Sequence, residues 1–166
     1  MANYVIGIDL GGTNTVIGLV DVDGNILAKD DSVKTQKYAE LNDYADAVVA
    51  VINKLAAENS VAMADIEGIG VGAPMGNYYT GDIENAANLP WKGRVPLGRV
   101  LTEKSGLPAR VTNDANAAAC LGICTLKHYQ RLRICQNPFF CAAAPGHTGF
   151  LQVRTGGTVQ NQRAFC

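Results

Sequence analysis

The chain has 166 residues, 48% of them hydrophobic and 17% charged, with a formal net charge of -1. That size and balance suit one soluble domain, or a domain with an appendage, and offer nucleic acid or an anionic membrane no obvious hold. No apolar stretch reaches membrane-spanning length, and no basic segment with an apolar core and cleavage site opens the chain, so a cytoplasmic location is expected.

Residues 4–15 read YVIGIDLGGTNT. Val5, Ile6 and Ile8 suit a buried strand, because β-branched side chains pack well on a covered, pleated surface. Gly11 and Gly12 then allow a tight turn, and consecutive N–H groups in such a turn converge on an anion. Asp9, just before the turn, would repel a phosphate directly but can hold Mg²⁺ through water. The stretch therefore reads as a phosphate-cradling loop beside a metal-organising acid. A plain hairpin turn is the alternative, since residues 16–20 (VIGLV) form a second strand. The loop is not a Walker loop, because no G-K-[ST] follows. It is not a dinucleotide fingerprint, because a strand follows the glycines where a helix should.

Residues 26–30 give a third strand, with Asp23-Gly24 marking the turn before it. Residues 42–59 carry Ala45, Val48, Val49, Ile52, Leu55 and Ala56 at helical spacing, with Asn42 or Asp43 as candidate caps. Residues 66–73 (IEGIGVGA) are a fourth strand ended by Pro74; after a helix it is expected to run parallel to its neighbour. Residues 75–91 (MGNYYTGDIENAANLPW) lack periodicity and read as a long loop of the kind that carries function. Residues 96–105 predict a short helix, with Pro96 in its first turn and Gly106 after its end. Residues 109–112 are a fifth strand, and residues 113–121 (NDANAAACL) start a helix. The order describes an α/β layer: an antiparallel meander extended by parallel strands.

Asn113 and Asp114 stand where a strand ends and a helix begins, an edge that ligands favour in open α/β sheets. An Asp there can accept the proton of a sugar hydroxyl attacking a γ-phosphoryl group, and Asn113 can hydrogen-bond neighbouring hydroxyls. An N-cap pair is the plainer reading of the same two residues.

DLGGTNT, GIGVGAP, ENAANLPWKGRVPL and VTNDANAAA, in this order and at these intervals, resemble the N-terminal half of ROK-family sugar kinases, bacterial glucokinases most of all. The resemblance covers about residues 3–122. It implies the ribonuclease H-like, actin-type ATPase fold with a mixed five-stranded sheet and helices. It implies ATP and Mg²⁺ as cofactors and transfer of the γ-phosphate to a hexose, the glucose 6-hydroxyl foremost. Carried onto this chain, it makes Asp114 the general base and Asn113 a sugar ligand. Asp9, Gly11, Gly12 and Thr13 form the first phosphate loop, and Gly76, Asn77 and Asn88 line the sugar pocket. No residue is assigned as a direct metal ligand. For Tyr78, Tyr79 and Trp91, packing of the loop is preferred over sugar stacking. The family is often dimeric, so a homodimer is an open expectation.

Residues 123–166 read as a tail of a different kind. All 15 acidic residues lie at or before Asp114, where an even spread would put roughly five beyond it. Cys124, Cys135, Cys141 and Cys166 crowd the same stretch, and the spacings of Cys124, Cys135 and Cys141 match no compact zinc pattern. They are expected to be free thiols. The family's second phosphate loop, its sugar-gripping Glu and His, and its second domain have no counterpart there, and His147 among glycines is read as coincidence. Out-of-frame translation is the hypothesis for the tail, with a diverged or engineered tail as the alternative. Weak or absent kinase activity is expected of this chain alone. Competing readings are an inactive sugar- or nucleotide-binding fragment, a sugar-responsive repressor and a heat-shock-type ATPase. The repressor would need a helix-turn-helix before the first strand, which is expected to begin at about Asn3 and so to leave no room for one. The chaperone would not be expected to carry NDANAAA.

Overall fold

The computed structural model describes residues 4–117 and, as backbone, residues 151–155 and 158–162. Strands β1 (Tyr4–Leu10), β2 (Thr15–Asp21) and β3 (Ile26–Asp30) form the expected antiparallel meander. The β2–β3 turn is held by Asp21, whose carboxylate accepts from the N–H groups of Asp23 and Asn25 at 2.9 Å each. Gly24 supplies the left-handed step, at φ +87°.

Helix α1 (Leu41–Glu58) buries Tyr44, Ala45, Val48, Val51, Ile52, Leu55 and Ala56, a stripe at helical spacing. Its start differs from the expected Asn42 or Asp43 cap. Glu40 occupies the cap position without a side-chain bond, and Asp43 sits in the first turn. A carboxylate there meets the positive end of the helix dipole instead of capping it.

Strand β4 (Ile66–Ala73) returns parallel to β1, and the later strand β7 (Ala109–Asn113) is parallel to β4. The sheet order is β3-β2-β1-β4-β7. Helix α2 (Leu97–Ser105) begins directly after Pro96 and ends at Gly106, whose φ is +73°. Both helices cover one face. Thr15 is paired with Leu10 across β1 and β2, and its hydroxyl bonds Tyr44 on α1. The face of Ile6, Ile8 and Leu10 therefore lies under α1. Val71 and Val111 continue that face, with Val111 against Gly98 of α2. On the opposite face Gly18, Gly7 and Gly70 stand side by side across three strands, with Asp9 and Gly72 paired farther along.

The segment 75–91 is not structureless. Strand β5 (Ile83–Glu84) lies within it and pairs antiparallel with β6 (Arg94–Val95), and Gly76 bridges to Ile83. Two-residue strands are too short to show alternation in sequence. Burial of Ile83 and Val95 reveals them instead, and the buried Asp82 carboxylate is paired with Arg94. Trp91 is buried, with its ring 4.7 Å from that of Tyr44 and tilted by 59°. Its indole Nε1 has no hydrogen-bond partner among the described residues, a cost of about 1–3 kcal/mol set against a large buried ring. Tyr78 and Tyr79 meet edge-on at 5.8 Å, and Tyr79 is 76% exposed. Loop packing thus describes Trp91 well and Tyr79 poorly.

Residues 114–117 are helical. The expected continuation to 121, the four tail cysteines and the 145–149 segment lie outside the described residues. Strands β8 (Leu151–Thr155) and β9 (Thr158–Gln162) form a separate antiparallel pair. Among the described residues no helix is long and apolar enough to cross a membrane.

Ile52 is fully buried in the core that joins α1 to the sheet. Ile52→Ala is expected to lower stability by about 3 kcal/mol with an unchanged denaturant slope in urea unfolding. A loss below about 1 kcal/mol would show that α1 is not seated as described.

Candidate functional site

Residues 11–14 join β1 to β2. The Gly11 N–H donates back to the Asn14 carbonyl at 3.0 Å, and the Thr15 N–H to the Val33 carbonyl at 2.9 Å. Among the described residues, the N–H groups of Gly12, Thr13 and Asn14 have no partner. Three consecutive free amides at a turn are an anion cradle in waiting. The glycines are needed for space: a Cβ on Gly11 would meet the Asn14 carbonyl oxygen at 2.8 Å, and one on Gly12 would meet Asn88 at 3.0 Å.

A buried hydroxyl relay supports this turn from behind. Thr35 Oγ1 donates to the Gly11 carbonyl at 2.9 Å. A carbonyl only accepts, so the single Thr35 proton is committed there. Thr15 Oγ1, 3.1 Å from Thr35 Oγ1, must then be its donor. Tyr44 OH, 2.9 Å from Thr15 Oγ1, must donate in turn. The relay therefore runs one way, Tyr44 to Thr15 to Thr35 to the loop. Burial pushes the Tyr44 phenol above its ordinary value, which keeps the first donor protonated. In a trans peptide the C=O and the following N–H point in opposite directions. Holding the Gly11 carbonyl inward thus aims the Gly12 N–H outward.

The second half of the site is built at β4. Asp9 is paired with Gly72, and Gly72 with Thr112. Paired residues in adjacent strands share a face, so Asp9 and the absent Gly72 side chain project the same way. A Cβ on Gly72 would lie 3.8 Å from the Asp114 Cα and 4.0 Å from its Cβ. Asp9 and Asp114 therefore flank Gly72 on one face of one sheet edge. Two strand spacings put their backbones roughly 10 Å apart, room for a hydroxyl and a phosphoryl group between them. Both carboxylates are exposed. The Asp9 carboxylate has no hydrogen-bond or ion-pair partner among the described residues. Asp114 Oδ1 accepts from the Ala115 N–H at 2.7 Å, leaving Oδ2 for a ligand. Asn113 Oδ1 accepts from the Asn116 N–H at 3.2 Å. That is a helix cap, and it leaves the Asn113 side-chain amide as a donor.

The expected sugar-pocket residues divide. Asn88 is exposed, against Gly12 of the 11–14 turn. Gly76 acts through closeness: a Cβ there would meet the Thr112 carbonyl oxygen at 2.4 Å, so only glycine lets this segment lie against the end of β7. Asn77 turns into its own loop, donating to Glu84 at 3.0 Å and accepting from the N–H groups of Tyr79 and Thr80. Gly11, Gly12, Thr13, Asp9, Asn88, Asn113 and Asp114 thus gather at one end of the sheet, with Gly76 beside them and the side chain of Asn77 turned aside.

The model of the ROK family matches residues 5–124. This chain belongs to the ROK family. Glucokinase of Streptomyces coelicolor is 36% identical over 115 residues, which are 69% of this chain and 33% of that protein. The ROK-family glucokinase of Streptomyces griseus, solved with glucose and AMPPNP, superposes with a TM-score of 0.57 at 32% identity, covering 70% of this chain and 35% of that one. The inorganic polyphosphate/ATP-glucomannokinase of an Arthrobacter strain gives a TM-score of 0.59 at 33% identity, covering 71% and 47%. The chain thus spans about a third of the length of the curated relatives it matches. The five-stranded sheet with its helices is the actin-like ATPase fold of ROK sugar kinases.

The residues fit a nucleotide on this structure's own terms: free amides at a glycine turn, and an unpaired carboxylate beside them. Among the described residues no three His, Cys, Asp or Glu side chains gather for a metal, so a Mg²⁺ ion here would rely on Asp9, water and phosphate oxygens. Sequence reasoning missed Thr15, Thr35 and Tyr44, whose buried hydroxyls hold the 11–14 turn through the Gly11 carbonyl. It also passed over Gly72, although GIGVGAP contains it. Thr35 lies in a stretch with no motif, and nothing short of the fold marks it.

The one-way relay makes an ordering testable. Thr35→Val orphans the Gly11 carbonyl and is expected to cost about 1–3 kcal/mol in urea unfolding. Tyr44→Phe removes the donor to Thr15 Oγ1 but leaves Thr15 donating to Thr35 and the Gly11 carbonyl satisfied, and is expected to cost less. The reverse order would refute the assigned direction. Gly76→Ala, forced against backbone, is expected to cost more than about 2 kcal/mol on the same measurement. A cost under about 0.5 kcal/mol would show that the loop does not press on β7.

Proposed function

We propose that this chain supplies the nucleotide loop, part of the sugar pocket and the general base for phosphoryl transfer from ATP to a hexose, glucose at its 6-hydroxyl. The observation that carries the reading is the placement of Asp9 and Asp114 on either side of Gly72 on one face. Kinship with glucokinases supports the substrate class.

When bound, ATP with its Mg²⁺ supplies the γ-phosphoryl group. The free amides of Gly12, Thr13 and Asn14 bind and orient phosphate oxygens. Asp9 keeps its carboxylate for the hydrated metal. Asn113 donates its side-chain amide to a sugar hydroxyl, and Asn88 lines the pocket beside the phosphate loop. Asp114 Oδ2 would accept the proton of the attacking hydroxyl as its oxygen bonds to the γ-phosphorus and the bond from that phosphorus to the β–γ bridging oxygen breaks, the electron pair leaving with ADP, so a neutral alcohol becomes a usable nucleophile. Such transfer needs both substrates held in line in a closed cleft. The matched region is a third of the relatives' length, so these 166 residues alone are expected to bind far better than they turn over.

Calorimetry on the whole chain tests this with glucose and with AMPPNP plus Mg²⁺. Both are expected to bind. Gly72→Leu, which fills the space between the carboxylates, is expected to lose both by at least about tenfold while circular dichroism is retained. Asp114→Asn is expected to leave nucleotide affinity within about twofold and to abolish any residual glucose phosphorylation in a coupled assay. Unchanged affinity in Gly72→Leu would refute the shared crevice. Wild-type turnover at roughly 1–1,000 s⁻¹ would refute the expected impairment.

A further inference from the structure

We propose that Gln36 is a positioning residue that ties the nucleotide loop to the sugar loop, so that filling one site orders the other. The identity of the two ligands rests on the sugar-kinase reading above; the tie itself rests on geometry.

Gln36 Nε2 donates to the Gly12 carbonyl at 2.5 Å and to the Asn88 carbonyl at 3.0 Å. A primary amide nitrogen carries two protons, and both are placed on groups that only accept. The side-chain oxygen has no such option, so the orientation of the amide follows from its partners. Gly12 belongs to the amide cradle and Asn88 to the sugar loop. The two also lie close together, since a Cβ on Gly12 would stand 3.0 Å from the Asn88 side-chain nitrogen and carbonyl oxygen. One exposed side chain therefore closes the gap between two loops that are distant in sequence.

Its anchor is firm. Gln36 lies in the 3₁₀ turn Thr35–Lys37, and its neighbour Thr35 is fully buried. Successive residues of this turn hold successive carbonyls of the loop, Thr35 that of Gly11 and Gln36 that of Gly12. Peptide planarity converts this into aim. A fixed Gly12 carbonyl turns the Thr13 N–H the other way, just as Thr35 turns that of Gly12. Ordering Asn88 on a sugar strengthens the Gln36 bridge, and the same bridge sets an amide that meets phosphate. Two sites that share a strut influence each other equally in both directions.

The exposed position separates this role from packing. Gln36→Leu removes the donors and keeps bulk. Gln36→Glu keeps the shape, removes the donors and sets a carboxylate against two carbonyls. Hydrogen exchange on the ligand-free chain reads the bridge directly. Both variants are expected to raise exchange in residues 11–15 and 86–90 together, by about tenfold, with β1 and β4 unchanged. Calorimetry reads the coupling. In the wild type, saturating glucose is expected to tighten AMPPNP–Mg²⁺ by about fivefold, and both variants are expected to remove that gain. Loosening of one loop only, wild-type exchange in Gln36→Glu, coupling that survives in Gln36→Leu, or wild-type ligands that bind independently would each overturn the proposal. If the wild type binds neither glucose nor AMPPNP, the sugar-kinase reading fails, and the exchange result alone upholds or overturns the bridge.

Discussion

Strand β4 is hydrogen-bonded between β1 and β7, parallel to both, and the site depends on that arrangement. Parallel neighbours end at the same edge, so the loops after β1 and β7 have to emerge side by side. Their register then decides which side chains share a face. Asp9, Gly72 and Thr112 are level. A slip of one residue would turn Asp9 into the helix-covered core and Leu10 outward. The apolar stripe of Ile6, Ile8 and Leu10 resists such a slip, because each is buried and would be exposed by it. The placement of Asp9 and Gly72 is therefore held by buried core residues.

Glycine at position 72 is what makes the crevice a crevice. Its chain neighbours Val71 and Ala73 are buried on the helix-covered face, yet on this face there is no side chain between two carboxylates. The glycine turn at residues 11–14 adds a second kind of constraint. Gly11 is demanded by crowding against Asn14 and Gly12 sits tightly against Asn88, and their carbonyls are held by Thr35 and Gln36. Free amides facing the other way follow from those held carbonyls. A loop preset in this way loses little conformational freedom when an anion arrives, which is how a few weak donors become a site.

Much of the fold was legible in the chain. The Val/Ile run before Gly11, the spaced apolar residues of α1 and the Gly106 stop are local signals with local causes, and the elements follow them. The parallel return of β4 followed from a helix between strands. Other features have no local cause. The β5–β6 pair is too short to alternate. The cap at Glu40 is set by where the chain arrives, and Asn42 and Asp43 resemble caps only in composition. At the site, the glycine-rich turn and the Asn113-Asp114 step stood out because their residue types are chemically unusual. Thr35 and Gln36 did not, since a threonine and a glutamine in a polar stretch carry no pattern. Their meaning comes from carbonyls brought to them by tertiary folding. Asn77 shows the converse: a polar residue in a promising loop whose side chain holds that loop together.

The central claim is that a nucleotide and a hexose meet across Gly72. Amide chemical shifts of the labelled 166-residue chain test it most directly, with AMPPNP–Mg²⁺ and glucose titrated separately. The account predicts that the nucleotide moves Gly12, Thr13 and Asn14, that glucose moves Asn88 and residues 113–116, and that Gly72 moves in both titrations. Two sets of shifts on different faces of the sheet, with Gly72 silent in either, would contradict it.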